Sequence, residues 1–318
     1  MKNTLTVAMY HYVRNIKDSR YPEIKGLELD YFIQQLSFFK ENYNIVTMED
    51  VISSLEGDNL PPNALLLTFD DGYAEHFNCV YPVLKEFGIQ GSFFVPVKAV
   101  VEHELLDVNK IHFILASLSN LNDIVNDIKL DISAYKNQFN LKDFDDYFDE
   151  LAVANRFDTK EVIFVKRVLQ HALPEELRNL LSSKYFEKYV GMNEQSFAKE
   201  LYMNESQIKQ LVRDGMHVGC HGYDHYWWDK LNSDSLKMEL MRSKEFLVSM
   251  GCDMSQWTAC YPYGSSSDSV VKELNLQGCK LAFTTEVKLA DINTNSKLLI
   301  PRLDTNDFPP KSDNYKNY

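Results

Sequence analysis

A short apolar run that ends in two aspartates most constrains the fold of this chain. Residues 64–69 read Ala-Leu-Leu-Leu-Thr-Phe, a pattern typical of a strand buried on both faces of a parallel sheet. The run continues directly into Asp70, Asp71 and Gly72. Two carboxylates that leave a buried strand together are costly unless a cation or hydrogen bonds meet them. An ordinary turn built on Asp71 and Gly72 is the alternative interpretation.

Strands and helices alternate on both sides of this run. The pattern predicts strands at residues 4–10, 44–46, 91–97, 216–220, 257–261, 281–284 and 298–300. It predicts helices at residues 30–42, 48–55, 73–87, 234–250 and 267–276. Such alternation favours right-handed parallel crossovers. Seven or eight strand–helix units fit an α/β protein built as a closed or nearly closed β/α barrel.

One long segment departs from the alternation. Between about residues 98 and 204 the chain has amphipathic helical stretches and no convincing strand. We therefore expect one catalytic barrel domain spanning residues 1–318, with a helical insertion at about 98–204 that serves as a lid or a dimer surface. The oligomeric state stays open.

Charge and composition exclude several classes of partner. The formal net charge is -13, and the chain has no long basic run, which argues against nucleic acid and against an anionic membrane as the main partner. No segment approaches the roughly 20 apolar residues of a membrane helix, so at most a transient contact with a membrane surface is expected. The five cysteines are scattered, which favours free thiols in a reducing compartment. With no apolar signal-like stretch near Met1, these features predict a cytoplasmic protein.

Polar side chains follow the predicted strands, where active sites of β/α barrels form. They are His11, Asp70, Asp71, His221, Tyr263 and Arg302. His221 and His225 are spaced i, i+4, but Gly222 and Asp224 between them favour a loop over a helix. Two imidazoles and one carboxylate would form a three-ligand metal site with open positions, as catalytic metals require. Two surface histidines are the alternative.

Three short motifs together resemble a known family. Residues 68–72, Thr-Phe-Asp-Asp-Gly, are similar to the first motif of the polysaccharide deacetylases, also called the NodB-homology or carbohydrate esterase 4 family. Residues 221–225 resemble the second motif, and residues 261–264, Tyr-Pro-Tyr-Gly, resemble the third. The resemblance covers about residues 1–97 and 205–305.

The resemblance implies a distorted (β/α)7-8 barrel that hydrolyses N-acetyl groups of amino sugars. By position, Asp71, His221 and His225 would hold a divalent metal, most often zinc, with cobalt, nickel and manganese as alternatives. Asp70 would be the general base, and a backbone N–H near Tyr263 would help to hold the oxyanion.

The chain departs from the family pattern at three positions. Gly222 stands where the second motif usually has Ser or Thr, and Cys260 stands where the third usually has Arg. No histidine follows His225, so the general-acid histidine near the C-terminus is missing. His11 is the expected substitute. Its motif, Met-Tyr-His-Tyr, resembles that of a permuted subgroup which has this histidine near the N-terminus. Arg302 is the expected partner of Asp70.

The substrate is predicted only as a class. Trp227 and Trp228 follow His225 and would stack on a sugar face or pack in the core. We expect an N-acetylated sugar as substrate, as a nucleotide-linked or lipid-linked intermediate or as a glycan of cell-surface polysaccharide biosynthesis. The alternatives are a metal hydrolase of a non-sugar C–N amide bond and a catalytically impaired carbohydrate-binding relative.

Overall fold

The chain divides into two compact units. The computed structural model describes residues 4–55, 57–155, 158–292 and 296–318. The first unit comprises the described parts of residues 1–15, 26–103 and 199–318, and the second comprises residues 16–25 and the described parts of 104–198. The predicted insertion at 98–204 thus corresponds to a helical unit at 104–198 that also includes residues 16–25.

The first unit contains the strands, most of them short. They are β1 (Thr4–Tyr10), β2 (Val13–Arg14), β3 (Leu27–Glu28), β4 (Asn44–Ile45), β5 (Ala64–Phe69), β6 (Ser92–Val95), β7 (His217–Cys220), β8 (Ala259–Cys260), β9 (Ala282–Phe283), β10 (Ala290–Asp291) and β11 (Leu303–Asp304).

Thirteen α-helices are described. They are α1 (Leu29–Asn42), α2 (Met48–Ser54), α3 (Tyr81–Phe87), α4 (Val97–Val101), α5 (Asp107–Ser117), α6 (Leu121–Phe139), α7 (Phe144–Leu151), α8 (Lys160–Arg167), α9 (Glu175–Tyr189), α10 (Glu194–Leu201), α11 (Glu205–Arg213), α12 (Ser233–Met250) and α13 (Asp268–Leu276). A π-helical turn, His76–Val80, precedes α3. None of the helices in the described part of the chain is both long enough and apolar enough to span a bilayer.

The main sheet curls into a nearly closed barrel. Its order is β10-β1-β5-β6-β7-β8-β9, and β1 pairs in parallel with both β5 and β11. Phe283 of β9 forms a parallel bridge with Ile300, just before β11. The segment 300–304 therefore connects the last strand of the sheet back to the first. This confirms the predicted α/β fold of the distorted-barrel type.

The alternation of β1 and β5 separates two apolar clusters. Leu5 and Val7 of β1 pack with Leu66 of β5, with Phe94 of β6 and with Phe283 of β9. The intervening residues of β1 and β5, such as Ala8 and Leu67, join the other cluster together with residues of the flanking helices. Because both faces of β5 are buried, its sequence is apolar except at Thr68, whose hydroxyl donates to the carbonyl oxygen of Ala8.

Two predicted elements differ in the structure. Residues 298–300 do not form a strand, because only Ile300 of this segment pairs, as an isolated bridge. The helix predicted at 73–87 is interrupted by the π-helical turn and is α-helical again from Tyr81. Pro82 is the second residue of α3, directly after this turn.

Candidate metal centre and active site

The barrel brings the predicted site residues to the carboxyl ends of its strands. His11 follows β1, Asp70 and Asp71 follow β5, and His221 follows β7. Since β1, β5, β6 and β7 pair in parallel, these ends share one edge. All of these residues except His11 are at least 96% buried, so the site has both an enclosed floor and a more open wall.

Three potential ligand atoms converge on one point. Nε2 of His221 lies 3.3 Å from Oδ1 of Asp71, and Nε2 of His225 lies 3.4 Å from the same oxygen. The two Nε2 atoms are 3.2 Å apart. In a tetrahedral zinc site with bonds of about 2.0–2.1 Å, ligand atoms lie about 3.3–3.4 Å from one another. The triangle of Asp71, His221 and His225 therefore fits a zinc-sized divalent ion.

Hydrogen bonds orient two of these groups toward that point. Nδ1 of His221 donates to the carbonyl oxygen of Cys260 at 2.8 Å, which directs Nε2 toward that point. The hydroxyl of Tyr73 donates to Oδ2 of Asp71 at 2.5 Å, while Oδ1 faces the imidazoles. Burial would raise the pKa of Asp71, but the hydrogen bonds from His221 and His225 hold that pKa well below its ordinary value.

Asp70 is held by a bidentate arginine. Nη1 and Nη2 of Arg302 donate to Oδ1 and Oδ2 of Asp70 at 2.9 and 2.7 Å. Nε of Arg302 donates to the carbonyl oxygen of Thr284, and the thiol of Cys260 contacts Oδ2 of Asp70 at 3.4 Å. Burial would raise the pKa of Asp70, but the Arg302 guanidinium outweighs it and lowers the pKa to about 2. Asp70 is therefore ionised at neutral pH.

His11 forms the open side of the site. Its Nε2 lies 3.8 Å from Oδ2 of Asp70, and its side chain is 41% exposed. Beneath it, Nε2 of the buried His76 donates to the carbonyl oxygen of His11 at 2.8 Å. Burial lowers the pKa of His76 to about 4, so that ring is neutral at neutral pH. His11 combines access from solvent with a fixed backbone.

The two tryptophans occupy different environments. Trp227 is half-buried and stacks on Tyr263 with centroids 4.5 Å apart and planes 7° from parallel. Tyr263 also contacts His225 edge to face. Trp228 has no exposed surface and packs against Tyr261. The expectation that Trp228 stacks on a sugar is therefore wrong, because its ring is needed in the core.

The backbone is strained at three site residues. Asp71, His225 and Tyr263 have φ values of 72°, 58° and 58°, although side chains with a Cβ rarely adopt the left-handed region. Such strain persists only where the surroundings enforce it, and it is concentrated at functional sites. Sequence reasoning did not identify this strain. It also missed Tyr73 and Cys260 as partners of the two aspartates, although Tyr73 lies only two residues after Asp71.

Comparison with known proteins places this geometry in a family. A model of the family described as polysaccharide deacetylase matches residues 57–129 and 175–282, which include all of β5 with the two aspartates after it and the turn from His221 to His225. A protein of Bacillus subtilis (strain 168), YxkH, which is provisionally named a polysaccharide deacetylase, is 29% identical over 98 residues. That match covers 30% of this chain, and the chain spans about a third (33%) of the length of that relative.

Solved structures share the fold at low sequence identity. The Streptococcus pyogenes deacetylase PplD, determined in complex with acetate, matches with a TM-score of 0.60 at 17% identity over 100% of this chain and 98% of that one. A de-N-acetylase from Aggregatibacter actinomycetemcomitans matches with a TM-score of 0.57 at 16% identity, covering 98% and 99%. IcaB from Ammonifex degensii gives 0.53 at 20% identity, covering 94% and 91%.

Proposed function

Because this chain belongs to the polysaccharide deacetylase family, we propose that it is a metal-dependent hydrolase that removes the N-acetyl group from an amino sugar. The observation that carries the proposal is the convergence of Asp71, His221 and His225 within metal-binding distance. The ionised Asp70 directly precedes Asp71 in sequence. The family membership supports carbohydrate deacetylation, and the metal and the substrate are the proposed part.

The metal would be held by Oδ1 of Asp71 and by Nε2 of His221 and His225. A divalent ion supplies a Lewis acid that polarises the amide carbonyl and acidifies water. The three residues leave further coordination positions open, as a catalytic site requires. Zinc is the proposed ion, since two imidazoles and one carboxylate are ligands that it accepts.

The remaining residues would move protons and stabilise charge. Asp70, kept ionised and oriented by Arg302, would accept a proton from the attacking water while the water oxygen bonds to the acetyl carbon. His11 would deliver a proton to the nitrogen as the C–N bond breaks, which releases acetate and a free amine. A backbone N–H near Tyr263 would donate to the oxyanion.

The stacked pair formed by Trp227 and Tyr263 would bind the sugar. Trp227 is half-buried and stacks on Tyr263, and aromatic rings at the edge of a site are suited to stacking on a sugar ring. The predicted carrier, a nucleotide, a lipid or a longer glycan, and the predicted cytoplasmic location remain proposals drawn from the sequence.

Acetate release tests the function. The purified protein should release acetate from at least one N-acetylated sugar in a panel of nucleotide-linked, lipid-linked and oligomeric substrates. Chelation should abolish the release, and zinc or cobalt should restore it. Release only from a non-sugar amide such as N-acetyl-lysine would favour the broader amidase. Glycan binding without acetate release from any substrate would indicate an impaired, carbohydrate-binding relative.

Metal content tests the ligand set. His221→Ala should bind less than a tenth of the zinc of the unchanged protein, because one of three protein ligands is lost. Elemental analysis after dialysis measures this, and circular dichroism checks that the barrel is folded. His171→Ala is the matched control, since His171 is exposed on the helical unit. Full zinc content in His221→Ala would refute the ligand assignment.

A further inference from the structure

The turn from His221 to His225 must bring both Nε2 atoms to one point without a helix. It has no regular secondary structure, and both Gly222 (φ 80°) and His225 (φ 58°) have a left-handed backbone. Buried backbone groups need hydrogen-bond partners. The partners described for residues 222–224 lie in β7, α4 and α12.

Two carbonyl groups of the turn, those of Gly222 and Tyr223, accept hydrogen bonds from the beginning of α4. The N–H of Val97 donates to the carbonyl oxygen of Gly222 at 3.1 Å, and the N–H of Lys98 donates to that of Tyr223 at 2.9 Å. The ammonium of Lys98 also pairs with Asp224 at 2.8 Å. These contacts fix one side of the turn.

Two N–H groups of the turn, those of Tyr223 and Asp224, donate to Glu239 of α12. Its Oε2 accepts from the N–H of Tyr223 at 2.9 Å and from that of Asp224 at 3.1 Å, and its Oε1 lies 3.2 Å from the same Asp224 nitrogen. Glu239 is 5% exposed, and among the described residues no lysine or arginine pairs with it. Burial and the nearby Asp224 raise its pKa to about 7. Burying a carboxylate without a cation costs free energy, and the hydrogen bonds from the two N–H groups offset part of that cost.

Gly222 and Glu239 fit each other. A Cβ added at Gly222 would lie 3.1 Å from Oε2 of Glu239 and 3.3 Å from Nε1 of the buried Trp228. Any larger residue would therefore press on the carboxylate that holds the turn. This gives a physical reason for Gly222, where the related motif usually has Ser or Thr.

We propose that Glu239 is a positioning residue for the metal centre. By accepting the N–H groups of Tyr223 and Asp224, it fixes the direction in which His221 and His225 present their Nε2 atoms. Gly222 provides the space that the carboxylate needs. The inference rests on the proposed metal site, and it adds a residue that does not itself touch the ion.

Cobalt binding tests the role of Glu239. Metal-free Glu239→Ala, titrated with Co²⁺, should show about 10–100-fold weaker binding, the usual effect of losing a group that supports metal ligands. The visible d–d spectrum of its Co²⁺ complex should also change. Glu239→Gln retains one amide oxygen that can accept a backbone N–H and should recover part of the affinity. Glu245→Ala is the matched control, because Glu245 lies exposed on the same helix, and it should behave as the unchanged protein.

Two further measurements separate the possible outcomes. In the metal-free protein, hydrogen exchange of the Tyr223 and Asp224 amides should be faster in Glu239→Ala than in the unchanged protein. This measurement does not depend on metal affinity. If Glu239→Ala does not fold, Gly222→Ala should weaken Co²⁺ binding independently by displacing the carboxylate. Unchanged Co²⁺ affinity and spectrum in Glu239→Ala would overturn the inference. Failure of the unchanged protein to bind Co²⁺ would overturn the proposed metal site itself.

Discussion

Asp70→Asn is expected to lower turnover by about 10⁴-fold, the upper end of the range for general acid–base catalysis. An asparagine has nearly the same shape, but it cannot take the proton of the attacking water. Zinc content should be unchanged, because Oδ1 of Asp71, not Asp70, faces the two imidazoles. Acetate release and elemental analysis on the same sample measure both quantities. Turnover within tenfold of the unchanged protein would assign Asp70 to structure alone.

Loss of stability must be separated from loss of chemistry in this variant. Arg302 has no exposed surface, and removing one partner of a buried ion pair costs about 3–5 kcal/mol. Thermal unfolding of Asp70→Asn should therefore occur at a lower temperature. The double variant Asp70→Asn with Arg302→Met removes the unpaired charge and should recover stability. It should not recover activity, and recovered activity would contradict the role of Asp70 as base.

The same ion pair sets an acid dependence of stability. The pKa of Asp70 is about 2 in the folded chain and 3.8 ordinarily, so the ionised form is favoured by folding. Its contribution is complete above the ordinary value and is lost as pH falls toward 2. The difference in unfolding temperature between metal-free unchanged protein and Asp70→Asn should therefore narrow between about pH 5 and about pH 2.

The site residues at the strand ends were predictable because charged side chains there directly follow buried apolar residues. The apolar run at residues 64–69 predicts a strand buried on both faces, and it is β5 in the structure. The carboxylates after it then lie at the edge where parallel strands end. The helical segment was predictable because its apolar residues recur at helical spacing and do not alternate as in a strand. The inclusion of residues 16–25 in the helical unit was not, since it depends on packing between distant parts of the chain.

Side-chain environments were less accessible from sequence. Adjacent Trp227 and Trp228 carry the same local signal, and only the fold decides that one is half-buried and the other fully buried. Glu239 did leave a signal, because it lies in the stripe formed by the buried residues Leu236, Leu240 and Ser243 of α12. A charged residue on the buried face of an amphipathic helix marks a demanding position.

The role of His11 depends on its place beside Asp70. Hydrolysis of an amide needs a proton at the departing nitrogen, because an amide anion is too basic to leave unaided. Nε2 of His11 lies 3.8 Å from Asp70, and imidazole is the side chain best suited to exchange protons near neutral pH. His76 fixes the His11 carbonyl from below. The imidazole therefore faces the site from a fixed backbone and is accessible to a substrate.

His11→Ala is expected to lower turnover of an N-acetylated sugar by about 10²–10⁴-fold, the usual contribution of a general acid. The loss should be much smaller on an activated acetyl ester such as 4-nitrophenyl acetate, because that leaving group departs without a proton. Zinc content should not change, since His11 is not among the three converging ligands. Steady-state rates on both substrates measure the contrast, with His171→Ala as control. An equal loss on both substrates would mean that His11 supports the shape of the site and does not deliver the proton.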